Sequence, residues 1–245
     1  MSRTSIRTAS SSRAPRTWSS RGYNYVGGEH VLALERFRKA VEQAEAMGLV
    51  GDNVLGSGFD VEVRVRAGGG AYICGEGSAL MYSVMGERGQ PRTKPPRSVE
   101  EGLWRRPTML NNTESIANAP LVIKNGGGRY ASYGTEKRKG TKLFTFQGPL
   151  KRLGVVEMEM GVNLRHLIFD VYGGMKDGYT FKGVQTGGVS AGALREDQLD
   201  HPVDFDSLTS LGAMLGSGGF VVFDDTVCSV AFARYLMAFN RYESC

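Results

Sequence analysis

Hydrophobic residues recur at three- and four-residue steps at Val31, Leu34, Phe37, Val41 and Ala44. This spacing predicts an amphipathic helix closed by Gly48. The period then falls to two. In "FDVEVRVRA", residues 59–67, Phe59, Val61, Val63 and Val65 alternate with polar residues, the pattern of a strand. "GGGAYICGEGSAL" follows at once, and "SALMYSVMG" reads as a helix, so Gly68–Gly77 is a strand-to-helix connection. Residues 86–112 carry Pro91, Pro95, Pro96 and Pro107 and read as a long irregular stretch, a kind of loop that is usually functional when ordered. "SIANAPLVIKNG" is a short helix and its exit.

The texture changes near residue 141. "TKLFTFQG" and "GVVEMEMG" read as strands, "NLRHLIFDVYGG" as a helix with Asn163 at its N-cap, and "FKGVQTGG" as a further strand. Two strands, a helix and a strand predict a small ubiquitin-like β-grasp domain. "DFDSLTSLGAMLGSGGFVVFDD" then gives a helix, a glycine turn and a buried strand, and "TVCSVAFARYLMAFNRYESC" gives a helix. No internal repeat is visible.

A 41% hydrophobic fraction allows a sizeable core, and 34 glycines against 8 prolines favour a loop-rich α/β protein over a helical bundle. The formal charge of +5 is confined to the start of the chain. Residues 1–21 hold Arg3, Arg7, Arg13, Arg16 and Arg21 and no acid, and the remainder is balanced, so no nucleic-acid partner is inferred. The Ser/Arg-rich segment 1–22 has no hydrophobic period and is expected to be a disordered or mistranslated tail; a mitochondrial transit peptide shares its composition. No apolar run is long enough to cross a membrane, so no direct membrane insertion is expected. Cys74, Cys228 and Cys245 are odd in number and widely spaced, which fits a reducing compartment and no disulfide framework.

Several constellations bear on chemistry. A glycine-rich turn into a helix start can cradle a phosphate or cofactor with its backbone N–H groups, or serve as a plain connection. Its glycines do not have the dinucleotide GxGxxG spacing. Paired amides at Asn111 and Asn112 suit the edge of a heterocycle, or an Asx-capped turn. Lys94 precedes two prolines and suits a phosphate or carboxylate, or a solvated basic loop. His30, His166 and His201 have no ligand spacing, and no catalytic triad or dyad can be assembled.

Taken in order, "AYICGEGSAL", "GERGQPRTKPP", "GLWRRPTMLNNTESIANAP", "GTKLFTFQG", "GSGGFVVFDDTVC" and the terminal "ESC" resemble the NADH-oxidising flavoprotein subunit of about 51 kDa in respiratory complex I. "RSVEEGLW", "GTEKRKGTKLF" and "FKGVQTGG" look nearer the diaphorase subunits of NAD(P)-linked hydrogenases and formate dehydrogenases. The resemblance covers roughly residues 23–245. It implies an α/β fold: an incomplete Rossmann-like FMN-binding domain, an inserted β-grasp domain of the SLBB type, and the start of a C-terminal helical bundle. The corresponding boundaries are 23–135 for the FMN/NAD-binding part, 136–195 for the β-grasp, 196–225 for a return to the FMN domain and 226–245 for the first bundle helix.

The resemblance also implies FMN, NAD(P)H and a [4Fe–4S] cluster as cofactors, with hydride passing from nicotinamide to flavin N5 and electrons leaving singly. Tyr72, Gly75, Glu76 and Gly77 would line the flavin and nicotinamide pocket, Asn111 and Asn112 would contact FMN, and Lys94 would face the dinucleotide. Cys245 matches the first cysteine of the family's "SCGxCxxC" cluster motif. A thioredoxin-like [2Fe–2S] subunit and a larger iron–sulfur or catalytic subunit are the implied partners. The implied location is cytoplasmic and peripheral to the membrane, or the mitochondrial matrix if the tail is a transit peptide.

Three departures from the family shape these expectations. The glycine-rich FMN loop and the acidic segment that follow the family's N-terminus are absent, so the chain is expected to be a fragment. One thiolate cannot hold a [4Fe–4S] cluster, so the ligand set is incomplete within this chain. Gly77 stands where the family usually has a second glutamate, and Arg97 where it has an aromatic. Both changes favour a 2′-phosphate, and hence NADPH. The alternative reading is a non-catalytic remnant in which the β-grasp part only mediates subunit contact.

Overall fold

The computed structural model describes the backbone of residues 3–7 and all of residues 21–244. These fall into two compact units that divide between Pro120 and Leu121, with Glu243 grouped with the first. The division lies inside a helix, Thr113–Asn125, rather than at the expected 135/136 boundary. Contacts change partners earlier than composition does.

The first unit holds a four-stranded sheet in the order β3-β2-β1-β4, built from β1 (Arg3–Arg7), β2 (Arg21–Val26), β3 (Glu62–Ala67) and β4 (Thr108–Asn112). β2 and β3 run parallel, while β1 is antiparallel to both β2 and β4. Residues 3–7, expected to lie in a disordered or mistranslated tail, form strand β1. Sheet pairing is made by backbone N–H and C=O groups and requires no apolar period, so composition does not reveal it. β4 likewise corrects the reading of 86–112 as irregular throughout. Asn111 and Asn112 end a strand, not a loop.

The expected helix is α1 (Val31–Ala46), and Gly48 just beyond it has φ +68°. Leu34, Phe37, Val41 and Ala44 are half-buried along one stripe, as the period requires, and no residue of α1 is fully buried. α2 (Gly77–Met85) follows β3 through a 3₁₀ turn, Tyr72–Gly75, and ends at Gly86, whose φ of +84° closes the helix. Its Leu80, Met81 and Val84 pack with Tyr23, Tyr25, Cys74 and Leu103 into the core of this unit. α3 (Thr113–Asn125) and α4 (Gly127–Ala131) complete the chain up to the second sheet.

The second unit is a five-stranded sheet: β5 (Thr141–Gln147), β6 (Gly154–Glu159), β7 (Phe181–Thr186), β8 (Ala193–Leu194) and β9 (Gly219–Asp224), in the order β6-β5-β9-β7-β8. β5 and β9 are parallel, and every other neighbour is antiparallel. β9 therefore sits mid-sheet here, and residues 196–225 do not return to the first unit's sheet as expected. A largely apolar strand such as "GFVVFD" reports burial without saying in which sheet. The expected helix after β6 is a π-helical turn, His166–Val171. The Asn163 side-chain oxygen accepts from the N–H groups of Arg165 (2.8 Å) and His166 (3.3 Å), the capping role its sequence position predicts.

The core of this unit is aromatic. Phe146 stacks on Phe220 at 4.8 Å and meets Tyr172 at 4.7 Å, and Leu164, Leu167 and Ile168 are fully buried beside them. The buried Tyr172 hydroxyl donates to the carbonyls of Phe144 (3.2 Å) and Gly154 (3.0 Å). α5 (Phe205–Ser210) is N-capped by Asp204, and α6 (Ser229–Glu243) has no buried residue. No helix among the described residues is long and apolar enough to cross a membrane.

Candidate functional site

A cavity of about 480 Å³ opens in the first unit where parallel strands β2 and β3 end. Tyr25, Gly27 and Glu29 line it together with Gly70 through Glu76. In open α/β sheets ligands bind outside the carboxyl ends of parallel strands. The volume is in the range of small-molecule sites.

The glycines around this cavity divide into two kinds. Some are required by the protein itself. A Cβ on Gly68 would lie 2.3 Å from the Tyr25 hydroxyl, and one on Gly28 would lie 2.5 Å from the Gly68 carbonyl oxygen. These contacts lock the β2 and β3 exits together. Others face open space. Gly75 has ordinary backbone angles and nothing within 4 Å of its Cβ position, yet it lines the cavity. Gly70 lines it too, with an open Cβ position and φ +83°. Folding alone does not ask for glycine at position 75. A ligand lying against the backbone does. This bare cradle fits a flat cofactor.

Glu76 is the N-cap of α2. One of its oxygens, Oε2, accepts from the N–H groups of Ser78 (2.7 Å) and Ala79 (3.0 Å) and from the Ser78 hydroxyl. The other, Oε1, lies 3.5 Å from Lys94 Nζ. Burial raises the carboxyl's pKa, but the Ser78 hydroxyl, the two backbone donors and Lys94 outweigh it, so Glu76 stays ionised below the usual carboxylate range. Ser78 Oγ also accepts the Arg92 backbone N–H at 2.9 Å, and the Arg92 guanidinium donates to the carbonyls of Pro96 (3.3 Å) and Glu101. The proline-rich loop is thereby fastened to the start of α2, which is how Lys94 reaches Glu76.

The hydroxyl of the cavity-lining Tyr25 lies 3.0 Å from Ser83 Oγ. Burial is the main reason its pKa is raised, so Tyr25 serves as a neutral hydrogen-bonding group.

Of the residues expected from the sequence, Tyr72, Gly75 and Glu76 line the cavity, and Lys94 joins them through Glu76. Gly77 opens α2, with its Cβ position 2.7 Å from Leu110 Cδ2. Asn111, half-buried, and Asn112, exposed, follow Leu110 at the end of β4 and are not among the cavity-lining residues. Cys245 lies outside the described residues. Among those residues no three His, Cys, Asp or Glu side chains are grouped to hold a metal. Sequence reasoning missed Tyr25, Gly27 and Glu29. "YVGGEH" has the same order as the recognised turn, an apolar strand end, glycines and then an acid, and that repetition was the available signal.

Residues 15–121 match the family model described as the Nuo51 FMN-binding domain. Over more than nine-tenths of its length the chain is similar to NADH-quinone oxidoreductase F subunits and to a subunit of an NADP-reducing hydrogenase. It is 44% identical to the NADP-reducing hydrogenase subunit HndC of Solidesulfovibrio fructosivorans, over 93% of this chain and 46% of that protein. It is 40% identical to an NADH-quinone oxidoreductase subunit of Escherichia coli, over 92% of this chain and 51% of that protein. The fold matches a crystal structure of NAD⁺-reducing [NiFe]-hydrogenase with a TM-score of 0.79 at 29% identity, covering 93% of this chain and 37% of the other. The chain thus spans about half the length of the curated relatives it matches.

Proposed function

We propose that this chain is the central part of a diaphorase subunit that passes hydride from NAD(P)H to FMN and electrons on to iron–sulfur clusters, within a complex I, hydrogenase or formate dehydrogenase assembly. The observation that carries the reading is Gly75, a cavity-lining glycine that neither backbone angle nor packing explains. When bound, the flavin would supply the conversion of a two-electron donor into single electrons.

This chain's residues hold and orient. Gly70 and Gly75 let the backbone approach the ring system, and Tyr72 offers an aromatic face at the cavity. Glu76 is fixed by α2 and by Lys94 as a charge at a set position. Asn111 and Asn112 are proposed to reach FMN from the end of β4. Cys245, the proposed first ligand of an iron–sulfur cluster, lies outside the described residues.

The second unit is proposed to be a ubiquitin-like β-grasp domain that contacts partner subunits. Its strand order β6-β5-β9-β7-β8, with a parallel central pair and a helical turn after the first hairpin, supports that reading. A thioredoxin-like [2Fe–2S] subunit and a larger iron–sulfur or catalytic subunit are the proposed partners, in a complex peripheral to the membrane. The remnant reading makes this contact the sole function.

Visible absorbance separates the two. The full-length subunit is expected to purify yellow, with flavin absorbance that NADH bleaches under anaerobic conditions. A colourless protein that takes up no FMN would leave only the subunit-contact role.

A further inference from the structure

We infer that Glu29 is a second ligand-binding carboxylate of this cavity, placed to accept hydrogen bonds from the ribose hydroxyls of the dinucleotide; the inference rests on the NAD(P)H reading above. Three observations converge on it.

The first is position. Glu29 follows the end of β2, the parallel neighbour of β3, whose exit carries the glycine-rich turn. In dinucleotide-binding α/β folds a glycine-rich turn sits beside an acid at the end of the neighbouring strand, and that acid takes the ribose 2′-hydroxyl. Here the same neighbours occur with the chain order inverted, the acid preceding the glycines.

The second is availability. Glu76, the other acid of the cavity, is engaged by two backbone N–H groups, the Ser78 hydroxyl and Lys94. Among the described residues the Glu29 carboxylate pairs with His30 alone, at 3.5 Å, and it is 56% exposed. Its lone pairs are open to a ligand.

The third is how it is held. The carboxylate folds back over Gly27 and fills the space where a side chain would stand, with a Cβ there only 2.5 Å from Oε1. Gly28 is in turn fixed against the Gly68 carbonyl. The two turns interlock, so Glu29 is held at the lip of the cavity.

A charged acceptor for a hydroxyl strengthens binding by about tenfold or more. A 2′-phosphate in place of that hydroxyl would meet the same carboxylate as repulsion. The test is calorimetric titration of the FMN-loaded, full-length subunit with NAD⁺ and with NADP⁺, comparing unmodified protein with Glu29→Gln and using flavin absorbance as the loading control. Equal flavin content is expected, with the NAD⁺ Kd raised about tenfold or more and the NADP⁺ Kd unchanged or lower, so that the preference shifts toward NADP⁺. If Glu29→Gln loses flavin, Glu29→Asp replaces it; NAD⁺ binding weaker than in unmodified protein, with NADP⁺ binding unchanged, is then expected. A variant that binds both nucleotides as unmodified protein does overturns the role of Glu29 alone. Unmodified protein that holds flavin but binds neither nucleotide overturns the dinucleotide reading of the cavity and Glu29 with it.

Discussion

Both units pack glycines against their own atoms, but the first unit also sets one in a cavity wall. In the second unit, Gly148 has φ +120°, and a Cβ on it would lie 2.1 Å from the Val222 carbonyl oxygen. Gly187 and Gly216 likewise abut main-chain oxygens. There the missing side chain is replaced by the protein's own backbone. In the first unit, Gly28 likewise abuts the Gly68 carbonyl and Gly68 abuts the Tyr25 side chain, but Gly75 has an empty Cβ position and lines an open cavity. Glycine content alone therefore does not mark a site. The proposed site rests instead on a glycine with an ordinary φ, an empty Cβ position and a place in a cavity wall.

The largest effect should come from breaking the packed side of this comparison. Gly148→Ala combines a disfavoured φ with a main-chain clash and is expected to cost roughly 2–5 kcal/mol, read as a lower denaturant midpoint. Gly75→Leu is the opposite case. With ordinary backbone angles and open space it should change stability by less than about 1 kcal/mol, while its side chain fills the cavity and reduces FMN affinity by about a hundredfold or more. A large loss of stability in Gly75→Leu would return that glycine to the structural class.

The smallest effect concerns Glu76. Its pKa is lowered on folding, so its stabilisation is present above the ordinary carboxylate range and is lost as pH falls through the lowered value. Glu76→Gln should cost about 0.5–2 kcal/mol at neutral pH, the worth of an N-cap, and the gap to unmodified protein should close on acidification. A gap independent of pH would mean that the ionised carboxylate is not what caps α2.

Much of this was legible in the sequence, for identifiable reasons. The helix stripe of α1, the alternation in β3 and the hairpin of β5 and β6 each follow from a single periodicity, and each is present. The Gly68–Gly77 turn was visible because the chain is so rich in glycine there. Long-range pairing was not visible. β1 lacks an apolar period, and β9 is apolar up to Asp224 without alternation, so neither names its neighbours. Glu29 escaped because it lies about forty residues from the recognised turn and joins it only through the parallel pairing of β2 and β3. Ser78 and Arg92 escaped for a different reason: a serine within a helix and an arginine within a basic loop carry no sign of a backbone-to-hydroxyl bond.

The central claim is that the cavity at the ends of β2 and β3 is the flavin site. Titrating apo-protein with FMN, for unmodified chain and Gly75→Leu in parallel, tests it most directly. Saturable binding by the unmodified protein, abolished in a variant of unchanged melting temperature, is the predicted result. Equal FMN binding by both proteins would contradict it.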